Sequence, residues 1–130
     1  MIFAKGVLHH LQAESGQPEL YRVLKSGGKA AFAEPLGMNP LLIFGRAFLP
    51  YPNKNPRGAD RPLSYRDIRN WSKGFAHVSV HEIQLLSMLE RGFGQHVRLP
   101  ALRAADKVLL KYIPPLRRFC RYVVLTFEKA

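Results

Sequence analysis

Two adjacent histidines, His9 and His10, follow a short apolar run at the start of this 130-residue chain. Residues 2–4 predict a buried strand that Gly6 ends, and ligands of open α/β sheets bind at the carboxyl ends of strands. A chelated metal is not expected, because zinc needs ligands that converge at about 2.0–2.1 Å and adjacent side chains on regular backbone point apart. The pair therefore indicates a loop that either closes the strand end through hydrogen bonds or flanks a ligand, and the residues leave both open.

Three further residues lie at predicted strand ends. Gly6 has no side chain and lets backbone approach a ligand closely, and Lys5 beside it fits a solvated charge. Glu34 ends the second predicted strand, where we expect a carboxylate paired with an arginine, a substrate-side acid being the alternative. No serine lies in a G-x-S-x-G context, so a serine nucleophile is not expected.

Length, composition and charge restrict the class of protein. The length predicts one domain at most, and the single cysteine excludes an intrachain disulfide. No apolar run reaches the ~18 residues of a membrane-spanning helix, the start lacks the layout of a signal peptide, and we expect a cytoplasmic protein. The net charge of +11 comes mainly from residues after 35. Such a charge attracts nucleic acid, anionic lipid or acidic substrates, or is simply a solvated surface.

The first elements predict a parallel pair of strands. Apolar residues at helical spacing follow Pro18, which suits a first helical turn, and they predict a helix over about 18–26. The glycines of "SGG" end this helix, one of them in the left-handed conformation. "KAAFAE" then predicts a second buried strand, and a strand, a crossover helix and a strand make a parallel unit.

The pattern changes after the second strand. Asn39 predicts the cap of an apolar helix that ends near Phe48. The apolar residues of this insertion are either a cover over the carboxyl ends of the strands or plain core packing. They are Leu41, Leu42, Ile43, Phe44, Phe48, Leu49 and Trp71. The loop "LPYPNKNPRGADRP" follows, rich in proline, glycine and asparagine, as functional covers often are. Ser64 then predicts the cap of a helix over about 65–73.

The remainder predicts two more strands with helices between them. "AHVSVHEI" and "RYVVLTFEK" alternate or are β-branched and predict strands, "QLLSMLERGF" predicts a helix, and another helix starts at Pro100. The element order favours an α/β fold, half of a doubly wound sheet, in which the last two strands form an antiparallel edge.

Two stretches, "FAKGVLHHL" and then "ELYRVLKSGGKAAFAEP", carry a family pattern. They resemble the second half of a class I S-adenosylmethionine-dependent methyltransferase, of the methyltransferase type 11 kind. In that family the fourth strand ends in a loop of the form xxLHHL, and a helix with the ending E-x-x-R-V-L-K-P-G-G leads to the fifth strand. Ser26 stands where proline is usual. The predicted strand order after residue 35 fits the family's last strands. The matching residues are Leu8, His9, His10, Leu11, Glu19, Arg22, Val23, Leu24, Lys25, Gly27 and Gly28.

The resemblance implies a partial Rossmann-like methyltransferase sheet, made of the last four strands, with a helical insertion. Residues 1–130 would be the C-terminal part of the methyltransferase domain, and residues 36–75 a lid or substrate insertion. The chain contains no GxGxG turn, nor the family's first three strands with the acidic residue that holds the ribose. We therefore expect a fragment that begins within the core of its domain, from a mis-assigned start or a truncated product.

The cofactor implied by the resemblance is S-adenosylmethionine. The loop with the histidines would flank its methionine end, and Lys5 would lie near its carboxylate. The cofactor-binding residues so implied are Ala4, Lys5, Gly6, Leu8 and His9, with no metal and no identifiable catalytic residue. Because the glycine turn and the ribose acid supply the closest polar contacts, we expect weak or absent cofactor binding and no activity from this chain alone.

The implied function is methyl transfer to a small-molecule or lipid-like acceptor. The alternative is a basic module that binds nucleic acid or an anionic membrane surface. Nucleic acid is the less expected partner, because RNA-binding sheets expose aromatic residues, whereas the centre of the final strand, "VVL", is apolar. With its first strand uncovered, the chain is also expected to self-associate through residues 1–5 or to aggregate.

Overall fold

The computed structural model describes residues 1–48, 61–93 and 98–130. Within them the strands are β1 (Ile2–Lys5), β2 (Lys29–Pro35), β3 (His77–Ile83) and β4 (Tyr122–Glu128). The α-helices are α1 (Ala13–Val23), α2 (Pro40–Phe48), α3 (Tyr65–Trp71) and α4 (Pro100–Tyr112). Shorter 3₁₀ helices span Leu8–His10, Ser87–Phe93 and Pro114–Phe119.

The strands form one sheet in the order β1-β2-β4-β3. β1 and β2 are parallel, with Ile2 opposite Ala30, and β4 runs antiparallel to both β2 and β3. The predicted α/β class, the parallel first pair and the antiparallel pairing of the last two strands are therefore confirmed. β4 completes the sheet by lying between two strands that precede it in the chain.

The core lies on one face of this sheet. Val123, Leu125 and Phe127 on β4 are fully buried, and the residues between them point to the other face, as the period of two requires. α1 and α3 pack over the buried side chains. At their contact, a Cβ on Gly16 would overlap the indole ring of Trp71, so the absence of a side chain there lets the two helices approach.

The first helix begins earlier than its sequence pattern predicted. α1 starts at Ala13 and contains Pro18 in its interior, so the prediction of a proline in the first turn was wrong. The proline deprives the carbonyl of Glu14 of its helical partner. Both residues are exposed, and water can bind this carbonyl instead, which explains why the helix tolerates the proline.

The stretch predicted as a helix after β3 forms a 3₁₀ helix instead. Its start is fixed by Asp106 of α4, whose buried carboxylate accepts hydrogen bonds from the amides of Leu85, Leu86 and Ser87. Glu90 in the same segment binds Arg103 of α4, with 2.7 Å between guanidinium and carboxylate. Two carboxylates thus tie α4 to the end of β3.

α2 is capped as the sequence predicted but contributes no residue to the core. α2 follows Asn39, whose side chain accepts from the amide of Leu41 at 2.9 Å, as the cap prediction required. No residue of α2 is buried, so core packing is wrong for this helix. Residues 49–60, which contain most of the predicted loop, lie outside the described residues.

β1 lies at one edge of the sheet. It pairs with β2 on one side, and Phe3 keeps 73% of its surface exposed. Self-association through this edge stays a prediction. No helix of the described residues is long and apolar enough to cross a bilayer.

Candidate functional site

The candidate site begins where β1 ends. Gly6 adopts a φ of +68°, a conformation that residues with a side chain rarely adopt, and its amide donates to the carbonyl of Ala33 on β2 at 2.9 Å. The chain then turns directly into the 3₁₀ helix Leu8–His10. This turn therefore lies at the carboxyl ends of two parallel strands, the place where open α/β sheets bind ligands.

Glu34 of β2 holds this turn in place. Its fully buried carboxylate accepts hydrogen bonds from the amides of Val7 at 2.8 Å, Leu8 at 3.0 Å and His9 at 3.4 Å. The same carboxylate lies 2.7 Å from Nδ1 of His9. Because the first amides of a helix have no partner within it and carry partial positive charge, a carboxylate is their natural acceptor. The predicted pairing of Glu34 with an arginine was wrong.

The two histidines lie beside each other. Their ring centroids are 3.9 Å apart with 40° between the planes, so the expectation that they point apart was wrong. It assumed regular extended backbone, whereas the residues belong to a 3₁₀ helix. A carboxylate only accepts hydrogen bonds, which fixes the proton of His9 on Nδ1 and sets the orientation of its ring. Among the described residues, no three metal-ligating side chains converge on one point.

An open cleft of about 410 Å³ lies next to this turn. One wall is the chain from Leu8 to Glu14, and the other is α3 with the residues before it. α3 is capped by Ser64, whose amide donates to Asp67 at 2.8 Å, with a return bond from the amide of Asp67. This capping box was predictable from the cap residue, and it orients the second wall. The residues that line this wall are Arg61, Leu63, Asp67, Asn70 and Trp71.

Asp67 carries a fixed negative charge in the cleft. Burial favours the neutral acid, but the hydrogen bonds from Ser64 and the charge of Arg61 outweigh it, so the pKa of Asp67 is lowered. The Arg61 guanidinium lies 2.9 Å from the carboxylate. Arg61 and Asn70 gave no sequence signal, because neither belongs to a motif and each reaches the cleft only through the docking of α3.

Of the five residues predicted to bind a cofactor, three lie at the turn beside the cleft and two lie away from it. Leu8 and His9 line the cleft, Gly6 forms the turn beside them, and Ala4 packs against the core. Lys5 points to the opposite face of the sheet from Ala4, where its ammonium lies 5.9 Å from the centroid of the Tyr122 ring.

Solved structures with a similar fold exist for this chain. No protein-family model matches the chain, and no curated protein matches it. Among solved structures, the chain is similar to Haemonchus contortus phospholethanolamine N-methyltransferase 2, in complex with phosphomonomethylethanolamine and S-adenosylhomocysteine. The identity is 20%, the TM-score is 0.44, and the match covers 97% of this chain. The chain spans about a third of the length of that protein, 32%.

Proposed function

We propose that this chain is the C-terminal part of a class I, type 11-like methyltransferase domain that transfers a methyl group from S-adenosylmethionine to a small-molecule or lipid-like acceptor. The observation that carries the proposal is the Leu8–His10 turn at the carboxyl ends of β1 and β2. The two motifs of the resemblance lie on either side of α1 within one parallel β-α-β unit, the L-H-H-L loop between β1 and α1 and the G-G pair between α1 and β2. This is the arrangement that the resemblance implied.

The residues present fit the methionine end of the cofactor. Gly6 has no side chain, and a Cβ there would lie 3.7 Å from Cε1 of His9. Leu8 and His9 border the cleft. When bound, the cofactor supplies an electrophilic methyl group on a sulfonium. Such a transfer needs in-line positioning and a dry site more than a nucleophile of the protein. Glu34 contributes by holding the turn and the His9 ring in one orientation.

Residues 36–75 form the cover of this site in our proposal. Its support is that α3, which belongs to this segment, faces the histidine turn across the cleft. The chain also returns to the strand end within this segment, because Leu36 and Leu63 form a parallel bridge directly after β2.

Recognition of nucleic acid by the final strand has no support in the structure. Of its two aromatic residues, Phe127 lies in the core with no exposed surface. A base cannot stack on a ring that other side chains cover, so this strand offers no aromatic platform.

The test is a titration of the whole chain with S-adenosylhomocysteine, followed by amide NMR. We expect weak binding, with shifts confined to the amides of Gly6 and of the two walls of the cleft, residues 8–14 and 61–71, and no such shifts with adenosine alone. Shifts elsewhere, or none at the solubility limit of the ligand, would contradict the proposed site. Affinity in the low-micromolar range would contradict the argument that the missing glycine turn is needed.

Two glycines supply a matched pair of variants for this titration. Gly6 and Gly27 have nearly the same φ, +68° and +67°, so Gly6→Ala and Gly27→Ala cost similar backbone strain, roughly 1 kcal/mol each. A Cβ on Gly27 meets no atom within 4 Å, and this residue lies at the other end of β2. We expect Gly6→Ala to abolish the ligand-induced shifts and Gly27→Ala to leave them unchanged.

A further inference from the structure

The wall of the cleft formed by α3 and the residues before it carries three hydrogen-bond donors. Asp67, Asn70 and Trp71 line the cleft and occupy positions i, i+3 and i+4 of the helix, so their side chains are neighbours on one face. Asp67 in turn holds the guanidinium of Arg61 at 2.9 Å. The donors are therefore Arg61, Asn70 and Trp71, and they lie next to each other.

The indole N–H of Trp71 has no partner among the described residues. Trp71 is only 1% exposed, and a buried indole normally donates to an acceptor. Its N–H makes no hydrogen bond within the described part of the chain, where every fully enclosed side-chain nitrogen or oxygen does have a partner. The small exposed surface of Trp71 therefore includes this nitrogen, and the cleft is the opening that the residue borders. A donor in this position is suited to an acceptor atom of a ligand.

Arg61 is held in place but keeps most of its donors. A guanidinium has five N–H groups, and to the described residues it makes one hydrogen bond, from Nη2 to Oδ1 of Asp67. The capping box fixes Asp67 itself, and 74% of the Arg61 side chain is exposed. The ion pair thus orients the planar fork of the guanidinium without occupying it, as bidentate binding of a carboxylate or phosphate requires.

The acids that border the cleft leave this wall open to an anion. Oδ1 of Asp67 accepts from Arg61, and its Oδ2 accepts from the amide and the hydroxyl of Ser64. Glu14, the other carboxylate among the described lining residues, belongs to the opposite wall. The side chain of Asn70 makes no hydrogen bond within the described residues, so its amide N–H groups add to the donors on this wall.

We propose that the methyl acceptor is a small polar molecule whose carboxylate or phosphate group binds Arg61, Asn70 and Trp71. This inference rests on the proposed function and narrows its acceptor from small-molecule or lipid-like to small and polar. An apolar acceptor would leave the three donors unpaired in the cleft, and polar groups left unpaired weaken binding strongly. An anionic group satisfies all of them. The acceptor then lies on the α3 wall, across the cleft from the Leu8–His10 turn that borders the cofactor.

The single tryptophan of the chain provides the assay, because its indole N–H gives one signal in a ¹H–¹⁵N NMR spectrum. The whole chain is titrated with inorganic phosphate, with acetate, and with sodium chloride at matched ionic strength. We expect phosphate or acetate to shift the Trp71 indole and Asn70 side-chain signals in a saturable way, and chloride to leave them in place. The tighter of the two anions identifies the group. Equal shifts with chloride, or shifts with butanol but with neither anion, would overturn the proposal.

Arg61→Gln and Arg69→Gln form a matched pair of variants. Both remove one exposed positive charge, but Arg69 does not line the cleft. A hydrogen bond to a charged group predicts roughly tenfold to hundredfold weaker anion binding for Arg61→Gln and little change for Arg69→Gln. Arg61→Lys keeps the charge without the planar fork and should bind with intermediate affinity. Circular dichroism confirms that each variant is folded, and equal losses in both glutamine variants would overturn the proposal.

The anion titration contains no cofactor, so it fails or succeeds separately from the proposed function. Anion shifts without any response to S-adenosylhomocysteine would support the anion site and refute methyl transfer. Shifts with S-adenosylhomocysteine but with neither anion would support the proposed function and overturn this inference.

Discussion

Replacement of Glu34 gives the sharpest test of how the site is built. In Glu34→Ala the buried amide of Leu8 and the Nδ1 proton of His9 lose a charged acceptor, whereas the amide of Val7 is half-exposed and can bind water. Each buried bond to a charged group is worth about 1.5–3 kcal/mol, so two predict a loss of about 3–6 kcal/mol in the free energy of unfolding. That is a large part of the ~5–15 kcal/mol of an ordinary domain.

Glu34→Gln separates the charge from the geometry. The side-chain carbonyl of glutamine can still accept from an amide, and its amino group can donate to Nδ1 of His9 once that ring changes tautomer. We therefore expect a smaller loss, about 1–2 kcal/mol, together with transfer of the His9 proton to Nε2, which imidazole ¹⁵N shifts report. Urea unfolding followed by the fluorescence of Trp71, the one tryptophan and a buried one, measures both variants.

The matched control is Glu19→Gln, an exposed carboxylate paired with Arg22, and no measurable change is expected from it. If Glu34→Ala unfolds at the same urea concentration as the unmodified chain, the hydrogen-bond argument is refuted. If glutamine destabilises more than alanine, the tautomer argument is refuted.

Four further predictions concern separate parts of the fold. Hydrogen bonds from Arg103 and from the amide of Leu99 lower the pKa of Glu90 to about 2. The stabilisation by the ionised Glu90 is therefore fully present above the ordinary glutamate pKa and is lost as the pH falls toward 2. The urea midpoints of Glu90→Gln and of the unmodified chain should converge at that low pH. Gly16→Ala should destabilise by about 1–3 kcal/mol through overlap with Trp71, and thermal unfolding that leaves Tm unchanged would contradict the packing. Burial raises the pKa of the Cys120 thiol to about 12, so thiol reagents should label it only at the rate of unfolding, and fast labelling of native protein would contradict its burial. Phe3→Lys should shift any dimer formed through β1 to monomer in sedimentation, whereas an unchanged dimer would place the contact elsewhere.

Local signals account for the parts of the fold that the sequence predicted. The apolar run of β2, the β-branched run of β4 and the cap residues Asn39 and Ser64 act within a few residues of themselves. The start of α1 gave no such signal, because the side chain of Gln12 makes no cap bond. The prediction relied on the proline instead.

The hydrogen bonds of the site could not be predicted, because the residues that form them are distant in the chain. Glu34 and His9 are separated by 25 residues, and they meet only because β1 and β2 pair in one particular register. The exposure of α2 likewise could not be predicted, since an apolar helix with this periodicity is as compatible with burial as with exposure. Sequence located the strand ends, and packing decided which groups meet there.

The position of β4 constrains the route by which the chain folds. β2 and β3 are not neighbours in the sheet, and the slot between them is one strand wide. β4 follows both in the chain, so during synthesis on the ribosome β2 and β3 emerge with unpaired edges facing that slot. Its pairing with β2 joins residues about 90 positions apart, from Lys29 with Glu128 to Pro35 with Tyr122, and contacts of such high contact order form slowly. During that interval two strands with unpaired edges can be captured by other chains. The yield of native protein is therefore governed by how quickly one seven-residue segment is inserted.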